Sequence, residues 1–182
     1  IYIPQGWYIV KEPLTLKQNT NLIGLHPGTT ILLTLGGNLA FSGFGAPQAQ
    51  LTTPQGGKNI VCGIFLNADA YNYRAVNCKW MAGEGSYMYD VKFSGHDKAR
   101  FFHNGQSAVN PLEKPMSITP ETHDLITRAW DNQHWSLWIT NGGGGSFRDI
   151  WTANEYSSAG LYISHTDTCL LYTSPSPRDA HE

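Results

Sequence analysis

Short runs of β-prone residues, separated by turn residues, recur along this chain and restrict it to a fold built from strands. They are rich in Ile, Val, Leu, Thr and aromatic residues, and they include IYIP, WYIV, TTILLTL, NIVCGIFL, YDVKF, SLWIT and GLYIS. No segment between residues 1 and 96 keeps the 3.6-residue period of an amphipathic helix. The sequence therefore predicts an all-β fold.

Four of these runs place an Asn or Asp directly before a β-branched residue or Leu. The four are Asn21, Asn59, Asp90 and Asp149, at separations of 38, 31 and 59 residues. This spacing fits coils of roughly 20 to 30 residues interrupted by loops, which predicts a solenoid and not a sandwich. Asn and Asp tolerate the left-handed backbone that a sharp bend requires, so stacked coils are expected to share a ladder of these residues. We therefore assign Asp90 and Asp149 to turns and not to catalysis.

Two stretches are predicted to leave the coils as loops. Residues 36–57 are rich in Gly, Pro and Gln, and residues 97–127 combine Pro111, Pro115 and Pro120 with mixed charge. The second stretch is long enough either to wall a groove or to be disordered, and the sequence leaves both alternatives open.

Charge and hydropathy argue against two classes of partner. The chain has 12 Lys and Arg, 14 Asp and Glu, and a net charge of −2, and its basic residues are scattered singly. Nucleic-acid binding needs a basic stripe and a membrane span needs about 18 apolar residues in a row, so neither a nucleic acid nor a membrane is expected as a partner.

The cysteines give no indication of a metal or cofactor. Cys62 and Cys78 lie in β-prone runs, outside any CxxC motif and away from His at metal-ligand spacing. We expect two buried free thiols, while a disulfide between stacked coils stays open because the sequence does not set their separation. No metal site and no cofactor are predicted.

A tryptophan-rich segment at residues 130–138 has the composition of a glycan-binding groove. It runs from Trp130 through Asp131, Asn132 and His134 to Trp138. Tryptophan faces stack on the apolar faces of sugar rings, and the polar side chains can bond ring hydroxyls. Packing of these tryptophans in a core or under loops is the alternative.

Strand alternation sorts the end of this segment into two faces. If residues 135–139 form a strand, Trp135, Leu137 and Ile139 share one face and Ser136 and Trp138 the other. The first set is apolar and should face the core. Trp138 is therefore the predicted solvent-facing platform.

Three acidic residues are candidates for catalysis after Asp90 and Asp149 have been assigned to turns. Glycoside hydrolysis needs two carboxyl groups, about 5 to 5.5 Å apart for retention or 6.5 to 9.5 Å for inversion. The plausible acids are Asp131, Glu155 and Asp97, and Asp131 is preferred because a tryptophan-rich setting raises a carboxyl pKa. His96 and His134 are expected to contact substrate or to modulate an acid. No acidic cluster of the kind that holds calcium in polysaccharide lyases is apparent.

The first 35 residues resemble the start of the pectate-lyase-superfamily domain. The resemblance is carried by Ile3-Pro4, Gly6, Tyr8 to Val10, Leu14, Leu16 and Leu22 to Gly24. It implies a single-stranded right-handed parallel β-helix, a fold found in secreted polysaccharide-degrading enzymes and in phage tailspikes. Later segments, including residues 75–83 and 130–145, look like those of glycosyl hydrolase-related bacterial β-helix proteins.

The sequence departs from the catalytic motifs of characterised relatives. Of the elements used by family 28 polygalacturonases, only Gly95-His96 with Asp97 is similar to one, and the D-D and R-x-K elements are missing. In family 55 β-1,3-glucanases, which pair two β-helices, the catalytic acid lies in the second helix. A single-helix fragment of such a protein would lack that acid.

The last fourteen residues are expected not to belong to the natural protein. Cys169 to Asp179, CLLYTSPSPRD, resembles the translation of a transposase adapter used in sequencing libraries. The organisation predicted is therefore a partial β-helix domain over residues 1–168, truncated at both ends, and an adapter-derived tail over residues 169–182. The missing coils, or a second domain of the parent chain, are expected as its partners.

Three functions follow from these residues and the resemblance. The first is a secreted or periplasmic glycoside hydrolase that acts on a polysaccharide with paired carboxylates. The second is a non-catalytic glycan-binding β-helix, which needs the aromatic and amide side chains but no carboxylate pair. The third is a structural or adhesive solenoid such as a tailspike. Two of the three acids within about 10 Å on one face would favour the enzyme, and aromatic residues alone would favour binding.

Overall fold

The computed structural model describes residues 1–43, 45–69, 72–95, 133–152 and 157–164. All regular structure in these ranges is β-strand, which confirms the all-β prediction. The strands are β1 (Tyr2–Ile3), β2 (Gly6–Ile9), β3 (Leu14–Thr15), β4 (Asn21–Gly24), β5 (Thr30–Leu33), β6 (Gln48–Thr52), β7 (Ile60–Asn67), β8 (Ala75–Trp80), β9 (Tyr87–Ser94), β10 (Gln133–Ile139), β11 (Ser146–Thr152) and β12 (Ser157–Ile163).

The strands form two sheets, and the chain alternates between them. Sheet A runs β1-β4-β7-β5-β2, with β9 paired to β7 and β11 paired to β9, and sheet B runs β12-β10-β8-β6-β3. Every pairing among the described strands is parallel. Five successive passes of the chain each place one or two strands in sheet A and then one strand in sheet B. Equivalent residues of successive passes therefore lie side by side.

The core lies between the sheets and is built from columns of equivalent apolar residues. Sheet A contributes one column in which Leu22, Val61 and Met88 are register partners, and all three are buried. Sheet B contributes Leu51, Cys78 and Leu137 in the same way. These residues belong to one continuous hydrophobic cluster. In β9, alternation sends Tyr87 and Tyr89, on either side of the buried Met88, toward the outside of sheet A.

A column of left-handed residues bends sheet A. Gly63, Asp90 and Asp149 occupy equivalent register positions with φ of 64°, 50° and 51°. Such backbone is costly for most residues and tolerated by Gly, Asn and Asp. Asp90 and Asp149 therefore adopt the left-handed backbone expected of them, but they lie at a bend inside β9 and β11 and not in turns between strands.

The expected ladder of all four Asn and Asp residues is wrong, because the pairing register separates them. Asn21 pairs with Ile60, three positions before the bend, and its Oδ1 accepts a hydrogen bond from the Ile60 amide at 3.2 Å. Asn59 donates from Nδ2 to the carbonyls of Lys17 and Thr20 at 2.8 and 2.9 Å. Only the two Asp residues share the bend column with Gly63.

A buried polar column lies in sheet B and was not predicted. The register places Gln50, Asn77 and Ser136 at equivalent positions, and all three are fully buried. Gln50 donates to the carbonyls of Leu32 and Asn67 at 2.9 and 3.2 Å. Asn77 donates to those of Leu66 and Ser94 at 3.1 and 2.9 Å. These bonds tie sheet B to carbonyls at the ends of the sheet A strands, where buried acceptors need donors.

The predicted loop at 36–57 is interrupted by a strand, since β6 occupies Gln48–Thr52 within it. The loop predicted at 97–127 and the tail at 169–182 lie outside the described residues.

Cys62 and Cys78 are free thiols, as expected. Cys78 is buried and Cys62 is partly buried. Burial raises the pKa of both thiols, and Asp90 raises that of Cys62 further. The described residues include no helix long and apolar enough to cross a membrane.

Candidate functional site

The predicted glycan-binding strand forms and lies inside sheet B. It is β10, which pairs with β8 on one side and β12 on the other. The register places Trp138 beside Lys79 of β8 and Tyr162 of β12. Three strands that are distant in sequence thus bring their side chains to one place.

Three rings form what we call the aromatic cluster: Trp135, Trp138 and Tyr162. Trp135 and Tyr162 stack with centroids 4.2 Å apart and an interplanar angle of 25°. Trp138 meets Trp135 edge-on at 5.0 Å and 61°, and it lies 6.4 Å from Tyr162. Both tryptophans are partly exposed and Tyr162 is 39% exposed. Tyr162 is therefore the most accessible ring of the aromatic cluster.

The predicted sorting of β10 into two faces is right for its end and wrong for its middle. Leu137 and Ile139 are buried in the core and Trp138 is not, as expected. Trp135 joins the aromatic cluster instead of the core, and Ser136 is fully buried, with Oγ 3.0 Å from Thr152 Oγ1 of sheet A. Strict alternation fails because Ser136 and Leu137 are consecutive and both buried.

Polar contacts hold Trp138 in place. Its Nε1 donates to Ser164 Oγ at 2.9 Å, and that hydroxyl donates to Thr140 Oγ1 at 3.0 Å. The Lys79 ammonium lies over the indole, 4.4 Å from the ring centroid. A cation at this distance is attracted to the negative face of the ring. The Lys79 ammonium therefore covers part of the Trp138 ring, so this ring is less open to a ligand than the sequence predicts.

His134 flanks the aromatic cluster. Its ring lies 5.4 Å from that of Trp135, at a tilt of 50°. Partial burial lowers the pKa of His134, and the nearby Arg74 guanidinium lowers it further. A neutral imidazole can both donate and accept a hydrogen bond, which suits contact with hydroxyl groups.

The described part of this site contains aromatic and basic side chains but no carboxylate from the strands. The five strands of sheet B include no Asp or Glu. The predicted acids Asp97, Asp131 and Glu155, together with Trp130, Asn132 and His96, lie outside the described residues. Of the predicted site residues, the structure places Trp138 and His134, and it puts both on β10.

Sequence reasoning missed Lys79 and Tyr162 and misplaced Trp135. Tyr162 lies in the GLYIS run and Lys79 follows Cys78, so each was visible as a strand residue. Their proximity to Trp138 depends on the register between strands up to 59 residues apart in sequence. That register is a tertiary property, which a local pattern does not contain.

A cleft of about 570 Å³ lies elsewhere, against the first pass of the chain, lined by residues of β1 to β3 and Leu32. Its walls are mostly apolar, with Lys11 and Glu12 as the charged groups. It offers few polar groups for orienting a ligand, so we do not assign the function to it. Among the described residues, no group of three or more His, Cys, Asp or Glu is placed to hold a metal ion.

Comparison with known proteins gives no family: no protein-family model matches the chain, and no curated protein is similar to it.

Proposed function

We propose that the two parallel sheets are faces of a single-stranded right-handed parallel β-helix. Three observations support this: the chain alternates between sheets, equivalent residues of successive passes are register partners, and the bend column recurs at the same position. Parallel crossover connections are almost always right-handed, which supports the hand.

We further propose that this β-helix binds a polysaccharide at the aromatic cluster. The observation that carries the proposal is the outward stack of Trp135 on Tyr162 at 4.2 Å, with Trp138 edge-on beside it. Aromatic rings present rigid apolar surface that matches the C–H faces of pyranose rings, at little conformational cost. Lys79 and His134 next to these rings supply hydrogen-bonding groups for hydroxyls.

Binding can be tested with affinity electrophoresis in gels cast with laminarin, polygalacturonate or arabinoxylan. The wild-type chain is expected to be retarded by at least one of them, and Tyr162→Ala or Trp138→Ala should weaken that retardation. Loss of a stacking contact corresponds to roughly 0.5–1.5 kcal/mol beyond area burial. Tyr2→Ala is a matched control, because Tyr2 is 61% exposed on β1 of the other sheet. If none of the three polysaccharides retards the wild-type chain, the proposed binding function is contradicted.

Hydrolysis of the bound polysaccharide is a second candidate function. Gln133 and Ser157 are register partners at the start of β10 and β12. Asp131 precedes the first by two residues in the sequence and Glu155 precedes the second by two. In the sequence, an acidic residue thus occurs two positions before the start of each of these two adjacent strands, which supports the paired-carboxylate proposal.

The hydrolase proposal predicts new reducing ends without an unsaturated, ultraviolet-absorbing product. Asp131→Asn should abolish product while the retardation in affinity gels persists, since the amide keeps the shape of the acid but cannot donate its proton. Binding without any product from the full panel would leave the glycan-binding function alone.

A further inference from the structure

The outermost described strands form two edges that can accept a further strand. We call β1, β2 and β3 the leading edge and β11 and β12 the trailing edge. Among the described residues, each of these strands pairs on one side only. Charged residues and proline are common devices that block pairing at a sheet edge, and β1, β2, β3 and β12 contain neither.

A core column of sheet B runs from one edge to the other. Leu14, Leu51, Cys78, Leu137 and Leu161 are successive register partners. The three inner members are buried, whereas Leu14 and Leu161 at the two ends are 38% and 42% exposed. Each terminal leucine therefore lacks the second apolar neighbour that the inner members have within the column.

A column on the outside of sheet A also ends in the same residue type at both edges. Trp7, Ile31, Phe65, Lys92 and Trp151 are successive register partners. Ile31 and Phe65 are buried, while Trp7 and Trp151 are 48% and 50% exposed. The Lys92 ammonium approaches the Trp151 ring from the inner strand β9, 4.5 Å from its centroid. Among the described strands, none follows β11 on its other side.

The two edges also differ in a complementary way. The cleft of about 570 Å³ at the leading edge is lined by Leu14 and by Val10 and Leu32, and the last two belong to the hydrophobic cluster between the sheets. On the trailing edge, Leu161 and Ile163 are exposed although their register partners are buried. One edge thus offers an apolar cleft, and the other offers apolar side chains that can cover it.

We propose that the trailing edge of one copy of this chain docks on the leading edge of a second copy, with the strands parallel and in register. In this junction β12 pairs with β3 of the second copy, and β11 pairs with its β1 and β2. Leu161 then lies beside the second copy's Leu14, and Trp151 beside its Trp7. Because the two edges in contact are different, each dimer keeps one free edge of each kind and grows into open chains of copies.

Contact between two identical edges would continue neither column. A two-fold axis between two leading edges makes their strands antiparallel, so Leu14 and Trp7 would not meet the residues that end their columns at the other edge. The junction of unlike edges instead repeats the parallel pairing found between all neighbouring strands of the described residues. The register columns therefore favour a head-to-tail contact.

The test uses one variant for each edge, Leu14→Lys and Leu161→Lys, in sedimentation equilibrium. Each variant alone should associate at least about tenfold more weakly than wild type, because an unpaired ammonium is costly to bury in the junction. An equimolar mixture should form a dimer that grows no further, since the first variant keeps its trailing edge and the second keeps its leading edge. Leu39→Lys, at a 92% exposed site outside the strands, is the matched control and should associate like wild type.

A pair of introduced cysteines gives a second measurement that buries no charge. Thr15 and Tyr162 are exposed and follow the two terminal leucines, so the proposed junction makes them register partners. Neighbouring strands lie about 4.8 Å apart, within the separation of about 4.4–6.8 Å between Cα atoms that a disulfide allows. Mild oxidation of mixed Thr15→Cys and Tyr162→Cys chains should join the two introduced thiols, as identified by peptide mass mapping. Oxidised wild type controls for bridges through the native thiols.

The outcomes decide between the possible contacts. A dimer restored only in the mixture supports the head-to-tail junction. If Leu161→Lys alone associates like wild type, two leading edges meet, and if Leu14→Lys alone does so, two trailing edges meet; either result overturns the proposal, as does a monomeric wild-type chain. If a lysine variant loses the β-sheet circular dichroism of wild type, the cysteine pair decides, and absence of the bridge between its introduced thiols overturns the proposal.

Discussion

At the scale of single residues, the geometry of the bend in sheet A predicts that only glycine fits well at position 63. Gly63 has φ of 64°, and a Cβ at this position would lie 2.5 Å from the Gly24 carbonyl oxygen of the neighbouring strand. Gly63→Ala should lower the free energy of unfolding by more than the roughly 1–2 kcal/mol of left-handed strain alone. Gly37→Ala isolates the strain, because Gly37 has φ of 68° and open space around it. Urea denaturation measures both, and equal losses would show that close approach of the strands is not what requires glycine.

The sequence predicted this bend through Asp90 and Asp149 but did not predict which residues share it. Asp residues that precede apolar strand residues indicate a turn on local grounds. Asn21 and Asn59 carry the same local signal and lie outside the bend column, because strand register, and not neighbouring sequence, decides which positions align.

The lowered pKa of His134 predicts that the stability of the fold depends on pH. Its pKa is lowered in the folded chain by burial and by Arg74, so below about pH 6.5 the unfolded chain takes up a proton that the folded chain resists. The contribution of His134 to the free energy of unfolding is therefore fully present above about pH 6.5, and it declines as the pH falls toward the lowered pKa. His134→Asn should flatten the fall in urea midpoint between about pH 7.5 and pH 5.5. The exposed His26 provides the control His26→Asn, and identical pH slopes for both variants and wild type would contradict the prediction.

At the scale of elements, the buried polar column joins the two sheets. Asn77 donates to two carbonyls and its Oδ1 accepts from Gln133 Nε2 at 2.9 Å. Asn77→Ala would remove three hydrogen bonds, and although the Ser94 carbonyl would still accept from the Ala68 amide, each buried group left without a partner costs about 1–3 kcal/mol. We therefore expect a lower denaturation midpoint than for Gln48→Ala, since Gln48 lies on β6 outside this column and is only partly buried. A loss no greater than that of Gln48→Ala would show that the column does not stabilise the fold.

The same column explains which strands the sequence revealed. Strands with continuous β-prone apolar runs, such as β5 and β7, were evident. The QAQLT segment of β6 looks polar and falls within the predicted loop at 36–57, although Gln50 is a buried residue bonded to the carbonyls of Leu32 and Asn67. The face of Trp135 was mispredicted for a related reason: Ser136 of this column is buried next to Leu137, which breaks the period on which the prediction depended.

At the scale of the molecule, the outermost described strands of each sheet have no pairing partner on one side among the described residues. Sheet B ends at β12, where Leu161 and Ile163 are 42% and 36% exposed although their register partners Leu137 and Ile139 are buried. At the other end, Trp7, Ile9 and Leu14 on β2 and β3 are exposed as well. Apolar strands with free backbone groups pair with other chains. The repeated pattern was readable in the sequence, but the exposure of these columns depends on which strand has a neighbour.

The purified chain should therefore associate in a concentration-dependent manner and melt with low cooperativity. Leu161→Lys places a charge at the end of a core column, which disfavours both burial against another copy and continued strand pairing. This change should reduce the weight-average mass in sedimentation equilibrium, whereas Leu39→Lys, at a 92% exposed site outside the strands, should not. Trp151→Ala in the same experiment separates sheet-edge pairing from contacts through the outer face of sheet A. A monomer that melts in one sharp transition at all concentrations would contradict the prediction, and would mean that the exposed ends of the core columns are too small an apolar surface to drive association.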